Sequence, residues 1–364
     1  MRLDYPKYEV IFALQSKTDE ALGVVEMLMN KFPHVDAKVV INGEKVGVNP
    51  KVNNLMEPFR QAKYDLLWVI DATITVTPHV LGRMVDAFVS RRGSDVENSP
   101  LISDDERPPP TRGQVGLVHQ VPIAVVYQRT WGSLIEQAYL NSTHAKMYLS
   151  INSVALESCV VGKSNMYSRA NVQSLTTPSP TLRKQPDPPR GLAGFGPFMA
   201  EDNMIALSLW HELGLKHAME GDVALDFIGA MSVHAYIDRR ARWIRVRKMM
   251  TLPATLLEPL TESIACGLYG AWATHKLFGW WRVPFFVIHM ALWLAVDLDV
   301  RAKLTTNVRH IGPPAGKLAF TAAWAAREVL ALPIWLYAMI GSNVMWRGHK
   351  YRVLASGEAK RIDQ

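Results

Sequence analysis

The residues of this 364-residue chain best suited to chemistry are three carboxylates and one basic-aromatic motif. Asp71 directly follows the apolar run DLLWVI. Open α/β sheets place ligands at the carboxyl ends of their strands, and a carboxylate there can hold a divalent cation against a diphosphate, since hard cations prefer oxygen. On position alone, a capping Asp in a turn fits equally well. Glu201 and Asp202 close the glycine-rich stretch GLAGFGPFMAED. A carboxylate opening a helix can serve as a general base, and it is also the charge that a helix N-terminus favours. In Arg239-Arg240-Ala241-Arg242-Trp243, arginine forks suit phosphate oxygens, and the tryptophan offers a flat face to a sugar or to interfacial lipid. A basic anchor beside a membrane explains that charge but gives no particular reason for the tryptophan. Lys51, Asn53 and Asn54, in NPKVNNL, suit either nucleotide contacts or a helix start, where Asn caps well. His144 and Cys159 stand alone and make no metal set.

These groups need a scaffold, and the first 250 residues read as α/β. Tyr8–Leu14, Ala37–Ile41, Asp65–Ile70, Gly116–Val118 and Ile123–Tyr127 are strand-like, and helical spacing covers Thr18–Phe32, Asn53–Lys63 and Pro78–Ser90. That alternation predicts a mostly parallel sheet covered by helices. Residues 92–114 and 172–190, rich in Pro and polar residues, read as disordered insertions, the second a mobile loop beside a site.

After residue 250 the texture changes. Leu252–Trp281, Val283–Val296 and Leu318–Trp346 are largely apolar. A spanning helix needs about 20 apolar residues, so the first and third qualify by length and the second needs its flanks. Trp280, Trp281, Trp335 and Trp346 suit interfacial anchors. The expected division is a cytosolic α/β domain over 1–250, membrane-embedded helices over 251–350 and a polar tail over 351–364. Arg239, Arg240, Arg242, Arg245, Arg247 and Lys248 crowd the stretch before the first apolar segment, which the positive-inside rule puts in the cytosol.

Composition sets the outer limits. With 49% apolar and 20% charged residues the chain is no disordered polymer, and two cysteines exclude a disulfide-built scaffold. The net charge of +7 admits nucleic acid, an anionic membrane or a phosphorylated substrate. The positive charge gathers at the membrane boundary and no aromatic-basic platform accompanies it, which excludes nucleic acid.

Taken in order, LDYPKYEV, KVGVNPKVNNLM, AKYDLLWVIDATITV, VGLVHQVP, MAEDNMIA, RRARW and LPATLLEPLTES resemble the ceramide glucosyltransferases, in a form with fungal-type insertions. The resemblance runs from residue 3 almost to the C-terminus. It implies a GT-A-type fold and inverting transfer of glucose from UDP-glucose to the primary hydroxyl of ceramide, giving β-glucosylceramide, at the cytosolic face of the Golgi. It matches Asp71 to the family's second aspartate and Asp202 to its third, as general base. It further matches Arg239, Arg242 and Trp243 to the family's final motif, and His144 to a histidine that contributes to substrate binding. A divalent cation, Mg²⁺ or Mn²⁺, would bridge the diphosphate at Asp71, with Lys51 and Asn53 as further donor contacts. The family's first aspartate falls at Ser16, with Asp19 three residues on as the expected substitute. Family members carry a membrane helix and a first strand ahead of LDYPKYEV, and the expectation here is a chain without them. A competing expectation is a catalytically inactive, truncated membrane paralogue that binds sphingolipid or partners the active enzyme. A processive polysaccharide synthase would need more membrane helices than the two or three candidates here, and a dolichol-phosphate sugar transferase would not carry the final motif.

Overall fold

The computed structural model describes residues 3–41, 43–89, 111–306 and 316–363. They fall into two compact units. Unit 1 comprises Met1–Ala72, Val76–Val121 and Ile151–Asp222, and unit 2 comprises Thr73–Thr75, Pro122–Ser150 and Val223–Gln364. The boundary therefore differs from the one expected at residue 250. Residues 122–150 and 223–250 belong with the C-terminal helices because Ile135, Ala138, Tyr139 and Ile244 share a core with Phe320, Ala323 and Trp324.

In chain order the elements are β1 (Val10–Leu14), α1 (Ala21–Lys31), β2 (Ala37–Ile41), α2 (Pro50–Gln61), β3 (Leu66–Ile70), β4 (Ile74–Thr75) and α3 (Val80–Val89). Next come β5 (Val115–Val126), α4 (Trp131–Tyr139), a π-helical turn (Leu140–His144), α5 (Ala145–Val154), β6 (Ser164–Ser168), α6 (Arg169–Ser174), α7 (Glu201–His211) and β7 (Lys216–Ile228). The remainder is α8 (Val233–Met250), α9 (Leu252–Leu257), α10 (Ser263–Phe278), α11 (Arg282–Leu304), α12 (Lys317–Ile340), β8 (Asn343–Trp346), β9 (His349–Val353) and β10 (Ala359–Arg361).

The fold is mixed α/β, but the larger sheet is not mostly parallel. Its strand order is β3-β6-β5-β7-β4, and the β3–β6, β5–β6 and β4–β7 pairs all run antiparallel. β1 and β2 pair in parallel in a sheet of their own, and β5 and β7 run side by side in the same direction, Lys216 N donating to Gln114 O at one end and Tyr127 N to Ile228 O at the other. The difference comes from β6, whose sequence SNMYS shows no apolar alternation, and which enters between β3 and β5 running against both. Strand periodicity then fills two cores. Leu117 sits opposite Tyr167 on one face with Val52, Phe59, Phe195 and Ile205, while Val118 sits opposite Met166 on the other with Val80, Met84 and Phe88. The two short strands expected around Pro122 are one, since β5 continues through it for 12 residues.

Most of the insertion expected at 92–114 lies outside the described residues. Residues 172–190 are packed rather than disordered. Leu175 and Ser179 are buried, Thr177 Oγ1 donates to Gly194 O at 2.7 Å, and Arg183 Nε donates to Thr177 O at 2.7 Å. Among the polar side chains that suggested disorder, Thr177, Ser179 and Arg183 bond this segment's own backbone. Within the expected polar tail, Ala359–Arg361 of β10 pairs antiparallel with Tyr351–Val353 of β9.

Among the described residues two helices, α11 and α12, are long and apolar enough to cross a membrane. The first expected span, Leu252–Trp281, is broken into α9, a 3₁₀ turn over Glu258–Thr261 containing Pro259, and α10 of 16 residues. At 1.5 Å per residue α10 rises about 24 Å, short of a roughly 30 Å hydrocarbon core. Val287, Ile288 and Leu292 on α11 and Val329, Leu332 and Leu336 on α12 are all exposed. An apolar surface of that extent is what lipid or a partner covers.

Candidate active site

In unit 1 a single lysine gathers the carboxylates. Asn49 caps α2, its Oδ1 accepting from the backbone N–H groups of Lys51 and Val52, with Pro50 opening the helix. The cap is therefore Asn49 rather than Asn53 or Asn54. That geometry sets Lys51 Nζ 2.7 Å from Asp71 Oδ1, 3.4 Å from Glu201 Oε1 and 2.7 Å from Gly162 O. Asp71 stands just past the end of β3, as the apolar run foretold, and its other oxygen lies 3.4 Å from Lys163 Nζ. Glu201 and Asp202 open α7. Glu201 Oε2 accepts from Asn49 Nδ2 at 2.6 Å, so the cap of one helix positions the first carboxylate of another.

Glycines make this convergence possible. A Cβ on Gly47 would lie 2.1 Å from the carbonyl carbon of Gly196, so the loop before α2 and the glycine-rich stretch before α7 meet backbone to backbone. Gly162 runs against the site itself, where a Cβ would fall 2.8 Å from Asp202 Oδ2 and 3.0 Å from Lys51 Nζ. The expected result of Gly162→Ala is a drop in turnover of about tenfold or more, since a displacement of about 1 Å at a catalytic group costs up to about a hundredfold. Its thermal midpoint should move little, because both displaced atoms end flexible side chains. A turnover equal to the parent's would detach Gly162 from the site.

The electrostatics separate Asp202 from its neighbours. Burial raises its pKa, the Glu201 carboxylate raises it further, and Lys51 and a backbone N–H pull it back, leaving it at about 7. Lys51 moves up from its ordinary value, because the three carboxylates outweigh the burial that opposes its charge. A pocket lies here, lined by Lys51, Leu117, Asn165, Tyr167, Glu201 and Asp202 among others. A charged lysine beside Asp71, and a carboxyl group poised to exchange a proton near neutrality, can bind an anion and accept a proton.

For a metal, no group of three or more His, Cys, Asp or Glu residues gathers among the described residues. Asp71 offers one carboxylate already flanked by Lys51 and Lys163. Such a donor set fits a cation that keeps phosphate oxygens and waters as its other ligands, and does not fit an all-protein cage.

Unit 2 assembles the second group of expected residues. His144 ends the π-helical turn, a departure from regular helix that often marks a functional position. Asn141 in the same turn fixes it, accepting from Ala124 N at 2.6 Å and donating to Ala124 O at 2.9 Å. The His144 ring stacks on Tyr148 at 5.7 Å and lies 6.0 Å from Trp243, its Nδ1 lacking a hydrogen-bond partner among the described residues. Burial, reinforced by Arg240, Arg247 and Arg239, pushes its pKa down to about 3, so it is a neutral imidazole. Arg239 Nε lies 2.9 Å from Glu136 Oε1, and its guanidinium stands 5.4 Å from the Trp243 ring. Burial and the charge of Arg239 bring Arg242 down to about 10.

Thus Lys51, Asp71 and Asp202 converge in unit 1, and His144, Arg239 and Trp243 in unit 2. Asn53 holds the loop before its own helix, accepting from Val46 N and Gly47 N at 2.9 and 3.2 Å. Ser16 and Asp19 make local bonds at the start of α1, to Thr18 and to Ala21 N. Sequence reasoning missed Asn49, Gly162, Lys163 and Glu136. Asn49 alone carried a local sign, an Asn directly before a Pro.

Comparison with known proteins accords with this geometry. The profile of glycosyl transferase family 21 matches residues 1–107 and 109–359. A ceramide glucosyltransferase of Komagataella phaffii is 35% identical, over 99% of this chain and 79% of its own length. One of Gibberella zeae is 30% identical, over 97% of this chain and 79% of its own, and one of Candida albicans is 29% identical, over 96% and 82%. With a carboxylate site of this kind and a family match along nearly its whole length, the chain belongs to glycosyl transferase family 21.

Proposed function

We propose that the chain transfers glucose from UDP-glucose to the primary hydroxyl of ceramide with inversion, on a GT-A-type scaffold at the cytosolic face of the Golgi. The relatives named ceramide glucosyltransferase support the acceptor and the sugar. The observation that carries the chemistry is Asp202, a carboxylate raised to about 7 at the mouth of α7. In one displacement the C1 hydroxyl oxygen of ceramide forms its bond to the anomeric carbon as that carbon's bond to the diphosphate breaks. The hydroxyl proton passes to Asp202, and the electron pair leaves with UDP. Lys51 and Lys163 offset negative charge beside Asp71. Asp71 would hold a divalent cation shared with the diphosphate, which when bound supplies Lewis-acid stabilisation of the leaving group. Arg239, Arg242 and Trp243 suit phosphate and sugar contacts, and α11 and α12 suit the bilayer in which ceramide resides.

The test is product formation in membranes from cells lacking their own glucosylceramide synthesis, with radiolabelled UDP-glucose and added ceramide. Labelled product cleaved by a β-glucosidase is the expected result. Absence of product, with the protein present in the membrane, would overturn the proposal.

The pH dependence follows from the same carboxylate. Only ionised Asp202 accepts a proton, so turnover at saturating donor should rise with pH and level off above about 7, the value given to this group by its surroundings. Initial rates between pH 5 and 9 check this. A plateau already reached at pH 5 would remove Asp202 from the role.

A further inference from the structure

Unit 2 contains a second polar pocket, lined by Tyr139, Tyr236, Arg240, Glu258, Glu262 and Arg327, with Ala331 and Trp335 of α12 beside them. Its two arginines differ in one respect. Arg327 is committed, donating from Nη1 and Nη2 to the two oxygens of Glu262 at 2.7 Å each, and from Nη1 to Glu328 at 2.8 Å. Arg240 is 4% exposed, and its Nη1 has no hydrogen-bond partner among the described residues. Its guanidinium is held in place by aromatic faces, 3.5 Å from the Tyr139 ring centroid and 4.8 Å from that of Trp243. A buried donor left open is costly, so such a group marks a position that a ligand acceptor completes.

The remaining lining defines that ligand. Glu258 is paired with Arg247, and the carboxylates of Glu258 and Glu262 keep lone pairs that can accept from hydroxyl or amide N–H donors. They would repel a phosphate. Leu332 and Leu336 on α12 are exposed and offer an apolar track for alkyl chains. We infer that this pocket takes the polar head of a neutral lipid bearing an amide and hydroxyls, Arg240 donating to its amide carbonyl oxygen. Resting on the function proposed above, the lipid is the acceptor ceramide, and Arg240 is an acceptor-binding residue outside the Arg239, Arg242 and Trp243 motif.

The test uses the full chain in nanodiscs and a ceramide carrying a photoactivatable group beside its amide. Crosslinks should map to residues 236–262 and 327–335 and should persist under excess phosphatidylserine. Arg240→Gln should raise the ceramide KM about tenfold or more and leave the UDP-glucose KM unchanged. Ala331→Leu, which fills the pocket without removing a charge, should raise the ceramide KM likewise, so a folding defect in the first variant cannot decide the matter. Crosslinks elsewhere, or two folded variants with the parent's ceramide KM, would overturn the inference. Crosslinks in the pocket from a chain that makes no glucosylceramide would support the lipid site while removing the proposed activity.

Discussion

Asp202→Asn should cut glucosyl transfer by roughly 10²–10⁴-fold, the usual contribution of a positioned general base, while donor binding changes little. Asparagine keeps the size of the side chain and its place on α7, but cannot accept the proton. Stability should move the opposite way. The carboxyl group's folded pKa lies above its unfolded value, so the stability this group contributes is present at low pH and is lost as pH rises through about 7. At pH 8 a neutral amide removes that penalty and the repulsion from Glu201. The expected result is an inactive enzyme with a thermal midpoint equal to or above the parent's. Parallel assays of turnover and thermal unfolding separate this from a misfolded variant, and full turnover in the variant would exclude Asp202 as the base.

The second large effect is expected at Lys51. Lys51→Met removes the cation shared by Asp71 and Glu201 and the donor to Gly162 O. Breaking a buried ion pair costs about 3–5 kcal/mol, and the lysine's partial exposure keeps the loss near or below the bottom of that range. On the proposed function Lys51 faces the donor's diphosphate, so donor KM should rise at least about tenfold. The pH profile supplies a sharper reading. Lys51 holds the Asp202 pKa down, so its removal must send that pKa higher and shift the acid limb of the rate profile to higher pH. A limb that stays in place would mean that Lys51 and the titrating group do not interact.

The sequence showed most clearly those positions whose neighbours in the chain also determine their structure. DLLWVI gives way to Asp71 because an apolar strand must emerge into a polar turn, and β3 closes at Ile70 as expected. Glu201 and Asp202 open α7 for an equally local reason. The partners of these residues come from afar. Lys163 reaches Asp71 because β6 runs antiparallel beside β3, a pairing that SNMYS does not announce. Glu136 reads as one polar residue on a buried helix, and only the folded unit sets it against Arg239. The strand-like runs at Gly116–Val118 and Ile123–Tyr127 are parts of one strand, and a run of apolar residues from 252 to 281 concealed the turn at Pro259.

The division of the chain also bears on how the protein is made and how it can be cut. Unit 1 is assembled from three separate stretches, with pieces of unit 2 threaded between them. On the ribosome it cannot close before residue 222 has emerged, whereas residues 122–150 must wait for Phe320 and Trp324, some 170 to 200 residues later, to complete their core. Until then the buried face of α4 lacks part of its core. For the same reason, stopping translation at residue 250 would not release a soluble catalytic half. It would strand α4 and α8 without α12, and such a truncation is expected to aggregate, whereas a deletion that removes both helices and religates the chain through unit 1 is the form that could remain in solution.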